Sequence, residues 1–263
     1  MSVIVIDDQL VHYEVFGRGT PVLFLHGWLG SWRYWFPTME VVANDFRAYS
    51  FDFWGFGDSP RQKTPENIQD YSAQIIRFLN ELGIDRVSLV GHSMGGMVAL
   101  HTAINYPNRI VCVVTVGAPI DGHSLSIPLK LTNYRFFANL LAKWPWLRRK
   151  LFRFFMGETE DPAEEEIIED SMKATAKTIR STIGSMLKTD LRQDLPRLRV
   201  PALIIHGSRD DIVQPRQVDL FTASPSAQVI LLPHSRHFPF LDNATFFNQI
   251  LLQFLHNTTQ AHY

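Results

Sequence analysis

The sequence GHSMGG at residues 91–96 has the residue types of a nucleophile elbow, a sharp turn that carries a catalytic serine. Residues 91–95 fit the pattern G-x-S-x-G, with small residues two positions on either side of Ser93, where a crowded turn needs them. Such a turn lifts the serine hydroxyl above the strand ends and leaves the Met94 N–H at a helix N-terminus, able to bind a developing oxyanion. The pattern alone is also compatible with an ordinary glycine-rich turn capped by a serine.

A serine hydroxyl is a weak nucleophile, so the pattern predicts a base within reach of Ser93. His234 and His237 both follow a late apolar run and are the two candidates. The base needs a carboxylate that holds its tautomer, and Asp210 and Asp211 lie in a loop after the preceding apolar run. The chain order serine, acid, histidine matches one hydrolase architecture and neither of the two protease architectures compared with it.

Alternating strands and helices must position these residues. The short apolar runs predict strands at Val3–Ile6, Leu10–Phe16, Val22–Leu25, Ala48–Phe51, Val87–Val90, Ile110–Val116, Ala202–His206 and Val229–Leu232. Helical spacing predicts helices at Asn67–Leu82, Met94–Asn105 and Ala244–His256. Continuous apolar strands that alternate with helices indicate a mostly parallel sheet covered on both faces.

The alternation breaks between residues 121 and 195, where the chain is predicted to be entirely helical. From Gly122 to Gly157 there is no acidic residue, and the basic and aromatic ones are Lys130, Arg135, Lys143, Arg148, Arg149, Lys150, Arg153, Tyr134, Phe136, Phe137, Trp144, Trp146, Phe152, Phe154 and Phe155. Residues 158–170 are acidic and contain no basic residue. We interpret residues 121–195 as a helical cap inserted into a core domain of residues 1–120 and 196–263.

Two interpretations of the cap remain open. In one, its apolar residues pack over the active site and its basic residues pair with the acidic segment that follows. In the other, Leu140–Phe155 forms an amphipathic surface for lipid or a hydrophobic substrate, and Arg148 and Arg149 contact anionic lipid. Aromatic side chains near a cleft favour an apolar acyl or aromatic substrate in either case.

Five segments in chain order resemble the α/β-hydrolase superfamily: His26-Gly27-Trp28, the loop Asp52 to Ser59, the elbow Gly91 to Gly96, the loop Gly207 to Pro215, and His237 to Asp242. The resemblance covers essentially the whole chain apart from the cap. It implies an eight-stranded, mostly parallel sheet with helices on both faces. It also implies a serine hydrolase, similar to an esterase or lipase with a helical lid.

The resemblance implies the roles of individual residues. The family's acid lies three residues after the loop glycine, which selects Asp210 over Asp211, although Asp121 stays open because some relatives place the acid there. The family's histidine precedes a short apolar stretch and an acidic residue, which selects His237. Relatives usually have glycine before this histidine, so Arg236 predicts a more cationic environment.

The loop after the third strand implies two backbone donors for the oxyanion, the N–H groups of Trp28 and Met94. Trp28, Met94 and Phe238 are also expected to contact the substrate. His26 and His92 are interpreted as structural or pocket-lining residues, and Asp52 and Ser59 as architectural ones. No metal site and no cofactor are predicted.

The charge and composition of the chain limit the classes of partner that it is predicted to bind. The net charge is −1 over 263 residues, so no global field favours nucleic acid. The single cysteine, Cys112, excludes an intramolecular disulfide. The N-terminus lacks the pattern of a signal peptide, and no stretch reaches the roughly 18 apolar residues of a membrane span. A cytoplasmic protein is predicted, with weak lipid contact through the cap as an alternative and the oligomeric state undetermined.

The predicted function is the hydrolysis of carboxylic esters on a small-molecule substrate, with Ser93 as nucleophile, His237 as base and Asp210 as the orienting acid. Two enzymatic alternatives use the same residues: a carbon–carbon bond hydrolase and a cofactor-free haloperoxidase. A third alternative is a small-molecule receptor, because this fold also serves as a binding module.

Overall fold

The fold was described from a computed structural model, which covers residues 2–59, 67–156, 163–221, 224 and 226–260. Eight strands form one sheet in the order β1-β2-β4-β3-β5-β6-β7-β8. They are β1 (Ser2–Ile6), β2 (Gln9–Gly17), β3 (Pro21–Leu25), β4 (Arg47–Phe51), β5 (Val87–His92), β6 (Ile110–Val116), β7 (Ala202–Gly207) and β8 (Ala227–Leu232). Strands β1, β2 and β4 pair antiparallel and all other pairs are parallel, which confirms the predicted mostly parallel sheet.

Ten α-helices accompany the sheet within the described residues. They are α1 (Phe36–Val42), α2 (Ile68–Glu81), α3 (Met94–Asn105), α4 (Ile127–Leu131), α5 (Arg135–Lys143), α6 (Pro145–Met156), α7 (Ala163–Met172), α8 (Ala176–Lys188), α9 (Pro239–Asp242) and α10 (Ala244–Gln260). The crossover from β3 to β4 runs in the opposite direction to those from β4 to β5 and from β5 to β6. Because such crossovers are right-handed, α1 lies on one face and α2 and α3 on the other. Helix α10 packs on α1, so both faces are covered.

The hydrophobic pattern explains the central strands. Every residue of β5, β6 and β7 is buried, as expected for parallel strands with helices on both faces. Strand β3 pairs with both β4 and β5, and its end, Leu25, is in register with Gly91. The loops after β3, β5, β7 and β8 therefore leave the same edge of the sheet, where open α/β sheets bind ligands.

Helices α4 to α8 lie between β6 and β7, in the part of the chain for which a helical insertion is predicted. We call these five helices the cap. The division into a core of residues 1–120 and 196–263 and a cap of residues 121–195 remains a prediction. Within residues 121–195, Gly157 and the acidic residues Glu158, Glu160 and Asp161 lie outside the described residues. Pro60, which follows Ser59 in the core, lies outside them as well.

The expectation that Arg148 contacts lipid is wrong. Arg148 is 1% exposed, and its guanidinium donates to the carbonyl oxygens of Leu141, Ser171 and Ala174 at 2.7–3.1 Å. It thereby joins α5 and α6 to the C-terminal end of α7, where carbonyl groups lack helical partners. Burial lowers the pKa of Arg148 to about 10, so the buried side chain still carries its charge at neutral pH.

Two other cap arginines, Arg149 and Arg153, follow the pairing interpretation. Arg149 forms an ion pair with Glu165 on α7, and Arg153 lies 3.7 Å from the same carboxylate. Some basic residues of the cap therefore pair with the acidic segment that follows them. None of the helices in the described ranges has the length and apolarity that crossing a membrane requires.

Candidate active site

Ser93 lies at the turn between β5 and α3, where the predicted elbow places it. Its backbone is in the left-handed region, with φ 51° and ψ −117°, a conformation that costs a non-glycine residue about 1–3 kcal/mol. The Ser93 N–H donates to the Val116 carbonyl of β6 at 2.8 Å, which ties the turn to the neighbouring strand. The Ser93 hydroxyl does not cap the helix. This distinguishes the turn from a glycine-rich turn with a capping serine.

The two flanking glycines are required by close backbone approaches. A Cβ on Gly91 would meet the Gly95 backbone at well under 3.0 Å, and one on Gly95 would meet the carbonyl groups of Leu25 and His26 as closely. Real Cβ atoms essentially never come so near to backbone atoms. The glycines therefore let the elbow, the helix after it and the loop after β3 pack together.

His237 and Asp210 meet at the same edge of the sheet. The His237 Nδ1–H donates to Asp210 Oδ2 at 2.8 Å, and both side chains are buried. Because the Nδ1 hydrogen is held by the carboxylate, the lone pair of the neutral imidazole resides on Nε2. This is the tautomer that a general base needs.

Asp210 is held as a carboxylate by the surrounding donors. Its Oδ1 accepts the N–H groups of Ile212 and Val213 at 2.8 and 2.9 Å. His206 Nε2 lies 3.0 Å from Asp210 Oδ2 and 3.1 Å from the Val213 carbonyl, so it must carry a hydrogen. Burial by itself would raise the pKa of Asp210, but the charge of His237 and the hydrogen bonds from His206 and His237 lower it below its usual range.

The other candidate acids, Asp211 and Asp121, and the other candidate base, His234, have different partners. The Asp211 carboxylate is exposed and pairs with Arg236 at 3.3 Å. Asp121 accepts the His123 N–H and faces Arg192 at 3.8 Å. His234 is exposed, and its backbone N–H donates to a serine hydroxyl across the loop.

Arg236, which stands where relatives have glycine, does not turn its charge toward the imidazole. Its guanidinium pairs with Asp211 and lies 5.5 Å from the centre of the Phe154 ring on α6. Its backbone N–H donates to Asp242 at 2.7 Å. The positive charge is thus matched by a carboxylate and an aromatic face, and the predicted cationic environment of His237 is not formed by this side chain.

The loop after β3 brings a second backbone donor toward Ser93. Gly27 approaches the elbow so closely that a Cβ on it would lie 3.1 Å from Ser93 Cβ. The turn closes with a hydrogen bond from Gly30 N–H to the Gly27 carbonyl, and Leu29 adopts φ 60°. Trp28 N–H at this turn and Met94 N–H at the first position of α3 have no hydrogen-bond acceptor among the described residues. Two unpaired donors next to a nucleophile suit a developing oxyanion.

A buried network joins the three loops of the site. Gly27 N–H donates to Tyr34 Oη, and Tyr34 Oη lies 3.2 Å from His92 Nδ1. On the other side of the ring, His92 Nε2–H donates to the His237 carbonyl at 2.9 Å. Burial, followed by the charge of His237, lowers the pKa of His92 well below its usual range, so the ring stays neutral. One arrangement of hydrogens satisfies every member, and it positions the His237 backbone against the elbow.

His26 and Asp52 form hydrogen bonds to the backbone of the loops next to the site. His26 Nδ1–H donates to the Gly27 carbonyl at 2.8 Å, while its Nε2 accepts the Phe53 N–H at 2.9 Å. Asp52 accepts the backbone N–H groups of Trp32 and Asp58 at 2.8 Å each. Both residues therefore hold loop backbones in place, as the sequence predicts.

Two of the three candidate catalytic residues, Ser93 and His237, line one small cavity. Its walls are Trp28, Tyr34, His92, Ser93, Leu129, Phe152, Ile212, His237 and Phe238. Phe238 and Trp28 thus lie where a substrate would contact them. The cavity has about 20 Å³ of free volume, room for about one water molecule. No hydrogen bond joins the Ser93 hydroxyl to the His237 imidazole across it among the described atoms, and such bonds often form only with substrate bound.

A second cleft in the described structure has a larger volume than the cavity at Ser93. A cleft of about 610 Å³ between α2 and α8 is lined by polar side chains that include Asn67, Arg180 and Lys188. Its described lining contains no histidine and no carboxylate, so it offers no base for a nucleophile. The cavity at Ser93 is smaller because the cap covers it, through Leu129 on α4 and Phe152 on α6.

Ion pairs hold the cap closed over the core. Asp170 on α7 accepts from Ser31 Oγ at 2.5 Å and from Arg33 at 2.7 Å, both in the segment after β3. Lys173 bridges Asp170 and the core residue Asp58 at 2.6 and 2.5 Å. We call these five residues the latch. The latch thus ties α7 and the residue after it to the core segments that follow β3 and β4.

One set of side chains has the spacing of metal ligands among the described residues, namely His12, Asp52 and Asp58. Arg33 and Lys173 already pair with Asp58, and backbone N–H groups occupy Asp52. These partners disfavour a cation there. The set lies in the core and in the latch and does not include Ser93 or His237.

Sequence reasoning missed Tyr34, His206 and the latch. Tyr34 follows the oxyanion loop in a short 3₁₀ helix and carries no motif. His206 is the last residue but one of β7 and lies four residues before Asp210, and its place at the carboxyl end of a parallel strand was the available signal. Neither residue could be linked to His237 without the topology.

Comparison with known proteins agrees with this geometry. Residues 22–250 match the family described as the alpha/beta hydrolase family. The chain is 26% identical over 245 residues to the pimeloyl-[acyl-carrier protein] methyl ester esterase of Nitrosomonas europaea, covering 88% of this chain and 94% of that protein. It is 29% identical over 262 residues to the 2-hydroxy-6-oxononadienedioate/2-hydroxy-6-oxononatrienedioate hydrolase of Paraburkholderia phymatum, covering 93% and 90%.

Among solved structures, a hydrolase from Pseudomonas aeruginosa PA01 superposes with a TM-score of 0.86 at 22% identity, over 97% of each chain. This likeness concerns the fold. The match to the family extends from β3 into α10 and includes the elbow, the acid loop and the histidine loop. The chain belongs to the alpha/beta hydrolase family.

Proposed function

We propose that the protein is a serine hydrolase that cleaves carboxylic esters through an acyl-enzyme, with Ser93 as nucleophile, His237 as base and Asp210 as orienting acid. The observation that carries the proposal is the buried 2.8 Å hydrogen bond from His237 Nδ1 to Asp210, together with the cavity that His237 shares with Ser93, a serine in a strained elbow. A structural serine does not require this backbone conformation, which has a cost and needs a compensating use.

In the proposed reaction, Ser93 Oγ attacks the ester carbonyl carbon while His237 Nε2 takes the hydroxyl proton. The tetrahedral oxyanion accepts hydrogen bonds from the N–H groups of Trp28 and Met94. The intermediate collapses, and the alcohol leaves with the proton from His237. Water, deprotonated by His237, then attacks the acyl carbon, and the carboxylic acid departs as Ser93 regains its hydrogen.

The walls of the cavity favour an apolar acyl group or an aromatic one. Apart from Tyr34 and the catalytic and supporting polar groups, the described lining is Trp28, Leu129, Phe152, Ile212 and Phe238. These side chains offer contact area and no charge to an uncharged acyl chain. One of the proteins that the chain resembles is named a methyl ester esterase, which supports an ester as the bond that is cleaved.

A carbon–carbon bond hydrolase is the second candidate, because the relative with 29% identity is named for a dienedioate substrate. A dioate carries two carboxylates, and a site for it needs cationic or multiple donor groups. No lysine or arginine belongs to the described lining of the cavity at Ser93. We therefore rank the ester above the dioate. A receptor role remains an outcome of the test below.

The test combines turnover with labelling. We expect the protein to hydrolyse p-nitrophenyl esters of graded acyl length, and Ser93→Ala to lower kcat/KM by at least about 1,000-fold. Ser181→Ala on α8 is the matched control and should leave turnover unchanged. A fluorophosphonate should label Ser93, located by mass spectrometry of the labelled peptide.

Unchanged ester turnover in Ser93→Ala, or a label on another serine, would overturn the assignment of the nucleophile. Faster turnover of a vinylogous diketone than of every ester would assign the second candidate. Tight binding of an ester with negligible turnover and no labelling would indicate a receptor.

A further inference from the structure

Helix α6 has two different long faces. Arg148, Phe152 and Met156 follow one another at intervals of four residues and are all buried, with Phe152 in the wall of the cavity. Trp146 and Phe154 lie eight residues apart on another side and are 59% and 53% exposed. Lys150 lies midway between them and is also exposed. Residues four apart share one helix face, so α6 presents a mixed aromatic and basic face to the outside.

Further exposed aromatic side chains lie on α5 and on the turn that joins α5 to α6. Trp144 is 48% exposed and its ring lies 5.9 Å from that of Trp146. Phe136 near the start of α5 is 70% exposed and packs edge-on to Phe137. Leaving several large aromatic side chains in water is unfavourable by about 25 cal/mol for each Å². Clusters of this kind mark contact surfaces on soluble domains. We call the exposed aromatic residues Phe136, Trp144, Trp146 and Phe154, with the exposed basic residues Arg135, Lys143 and Lys150, the aromatic patch.

The aromatic patch is cationic. Its exposed basic residues include Arg135, Lys143 and Lys150, and no acidic residue occurs between 122 and 156. Lys143 and Lys150 have no ion-pair partner among the described carboxylates. On α7, Glu165 pairs with Arg149 and lies 3.7 Å from Arg153 instead. The patch therefore presents lysines to an outside partner of negative charge.

The combination favours a lipid surface over a protein. Tryptophan and other amphipathic aromatics insert at the level of lipid headgroups, and lysine extends its charge past its apolar stem to reach phosphate. Protein interfaces, by contrast, are depleted in lysine. Basic residues near an anionic bilayer gain about 1 kcal/mol each. The sign of the charge and the type of aromatic residue both match this partner.

We propose that the aromatic patch on α5 and α6 is a docking surface for a membrane that contains anionic phospholipid. The proposal is independent of the proposed function, because binding requires none of the catalytic residues. It has a geometric consequence for the site. Trp146 outside and Phe152 inside belong to the same helix, so docking acts directly on the helix that closes the cavity over Ser93.

The test is co-sedimentation of the full chain with lipid vesicles, performed on the Ser93→Ala protein so that no lipid is cleaved. We expect binding to vesicles of phosphatidylcholine with about one third phosphatidylglycerol, little binding to phosphatidylcholine alone, and a loss of binding as salt is raised. Trp144→Ala with Trp146→Ala should weaken the partition coefficient by at least about 10-fold. Lys143→Gln with Lys150→Gln should weaken it by about 10- to 30-fold.

The control substitutions lie outside the cap, on β1 and in the turn after β2. Val3→Ala with Val5→Ala removes apolar surface from β1, where both side chains are 56% exposed, and Arg18→Gln removes an exposed charge after β2. Neither control should change binding. Circular dichroism and thermal unfolding of each variant establish that it is folded.

Absence of binding to anionic vesicles at low salt would overturn the proposal. So would equal binding to both kinds of vesicle, or patch variants that bind like the parent. If the parent instead forms a dimer in sedimentation velocity that the tryptophan variant abolishes, and does not bind vesicles, the patch belongs to a second copy of the chain. Ester turnover measured separately shows whether the proposed function stands, whichever result is obtained.

Discussion

The sheet edge and the cap contribute to the same cavity, but they hold their charged groups in different ways. At the sheet edge, every polar contact of the Asp210 carboxylate comes from a backbone N–H or a buried histidine. In the cap, the buried Asp170 carboxylate pairs with the partly exposed side chains of Arg33 and Lys173, and Arg148 is held by carbonyl oxygens alone among the described groups.

This difference indicates that the sheet edge determines the proposed chemical step, whereas the cap determines how a substrate reaches the cavity. The sheet edge is set before substrate arrives, since its hydrogen bonds arise from strand ends and a tight elbow. The cap leaves about 20 Å³ of free volume and must move for a substrate to enter. Its ion pairs with the core involve the partly exposed side chains of Arg33 and Lys173, and pairs of this kind contribute only modestly to stability. Substitutions at the sheet edge should therefore change the chemical step, whereas substitutions in the cap should change its stability and its opening.

The largest effect is expected at the sheet edge, whose hydrogen bonds are formed before substrate binds. Asp210→Asn should lower kcat/KM for an ester by about 10⁴-fold, because an amide that donates to His237 Nδ1 stabilises the wrong tautomer. Asp211→Asn, next to it and exposed, is the matched control and should change the rate by less than about threefold. Steady-state kinetics of both variants decide. Equal losses in the two would mean that the acid was wrongly chosen.

The second prediction concerns the stability of the cap. Arg148→Ala leaves three buried carbonyl groups without a donor and should lower the free energy of unfolding by about 3 kcal/mol. Arg149→Ala removes only a half-exposed ion pair and should cost about 0.5 kcal/mol or less. Urea unfolding measures the difference, and hydrogen exchange of α5 to α7 locates it. A loss spread evenly over the sheet would contradict the local role given to Arg148.

The third prediction returns to the sheet edge. Tyr34→Phe removes the acceptor of the Gly27 N–H and the hydroxyl beside His92, so the oxyanion loop and the His237 backbone lose a shared support. We expect kcat to fall about 10- to 100-fold with KM little changed, and fluorophosphonate labelling of Ser93 to slow in parallel.

The control for this substitution is Tyr13→Phe, at a tyrosine packed on Phe78 far from the network. It should leave kcat unchanged. If Tyr34→Phe raised KM and left kcat intact, Tyr34 would contact substrate instead of positioning the loops.

The smallest expected effect probes the latch. Asp170→Asn weakens the contacts to Arg33 and Lys173 and should favour the open cap by about 1 kcal/mol. Labelling of Ser93 by a bulky fluorophosphonate should then accelerate by about three- to tenfold. Glu169→Gln, exposed on the same helix, is the control. Slower labelling in Asp170→Asn would mean that the latch supports the entry path and does not restrain it.

The strands and the elbow were predictable from the sequence. The predicted strand Val87–Val90 is observed as Val87–His92, and Ile110–Val116 is observed unchanged. Both are buried on two faces, so their apolar runs are continuous and hard to mistake. The glycines around Ser93 were informative for a similar reason, because only backbone crowding demands residues without a Cβ at those positions.

The cap was less predictable, as Arg148 demonstrates. Composition placed it with Arg149 in a basic segment, yet one side chain is buried and its neighbour is half-exposed. Adjacent residues on a helix point in directions about 100° apart, so the packing of α6 on α5 and α7 decides which is buried. A helical period in α6 could not be assigned to faces before those neighbours were known.

The sequence by itself determined the family, the alternation of the sheet and the residues of the elbow, since these depend on local chemistry and on strand periodicity. Tertiary structure alone decided which residues meet. It brought His206 and His237 to one carboxylate, linked Tyr34 to His92, and closed the cap over Ser93 with the latch. Contacts between loops 27 to 145 residues apart have no local signature, because they arise from the order and parallel direction of the strands.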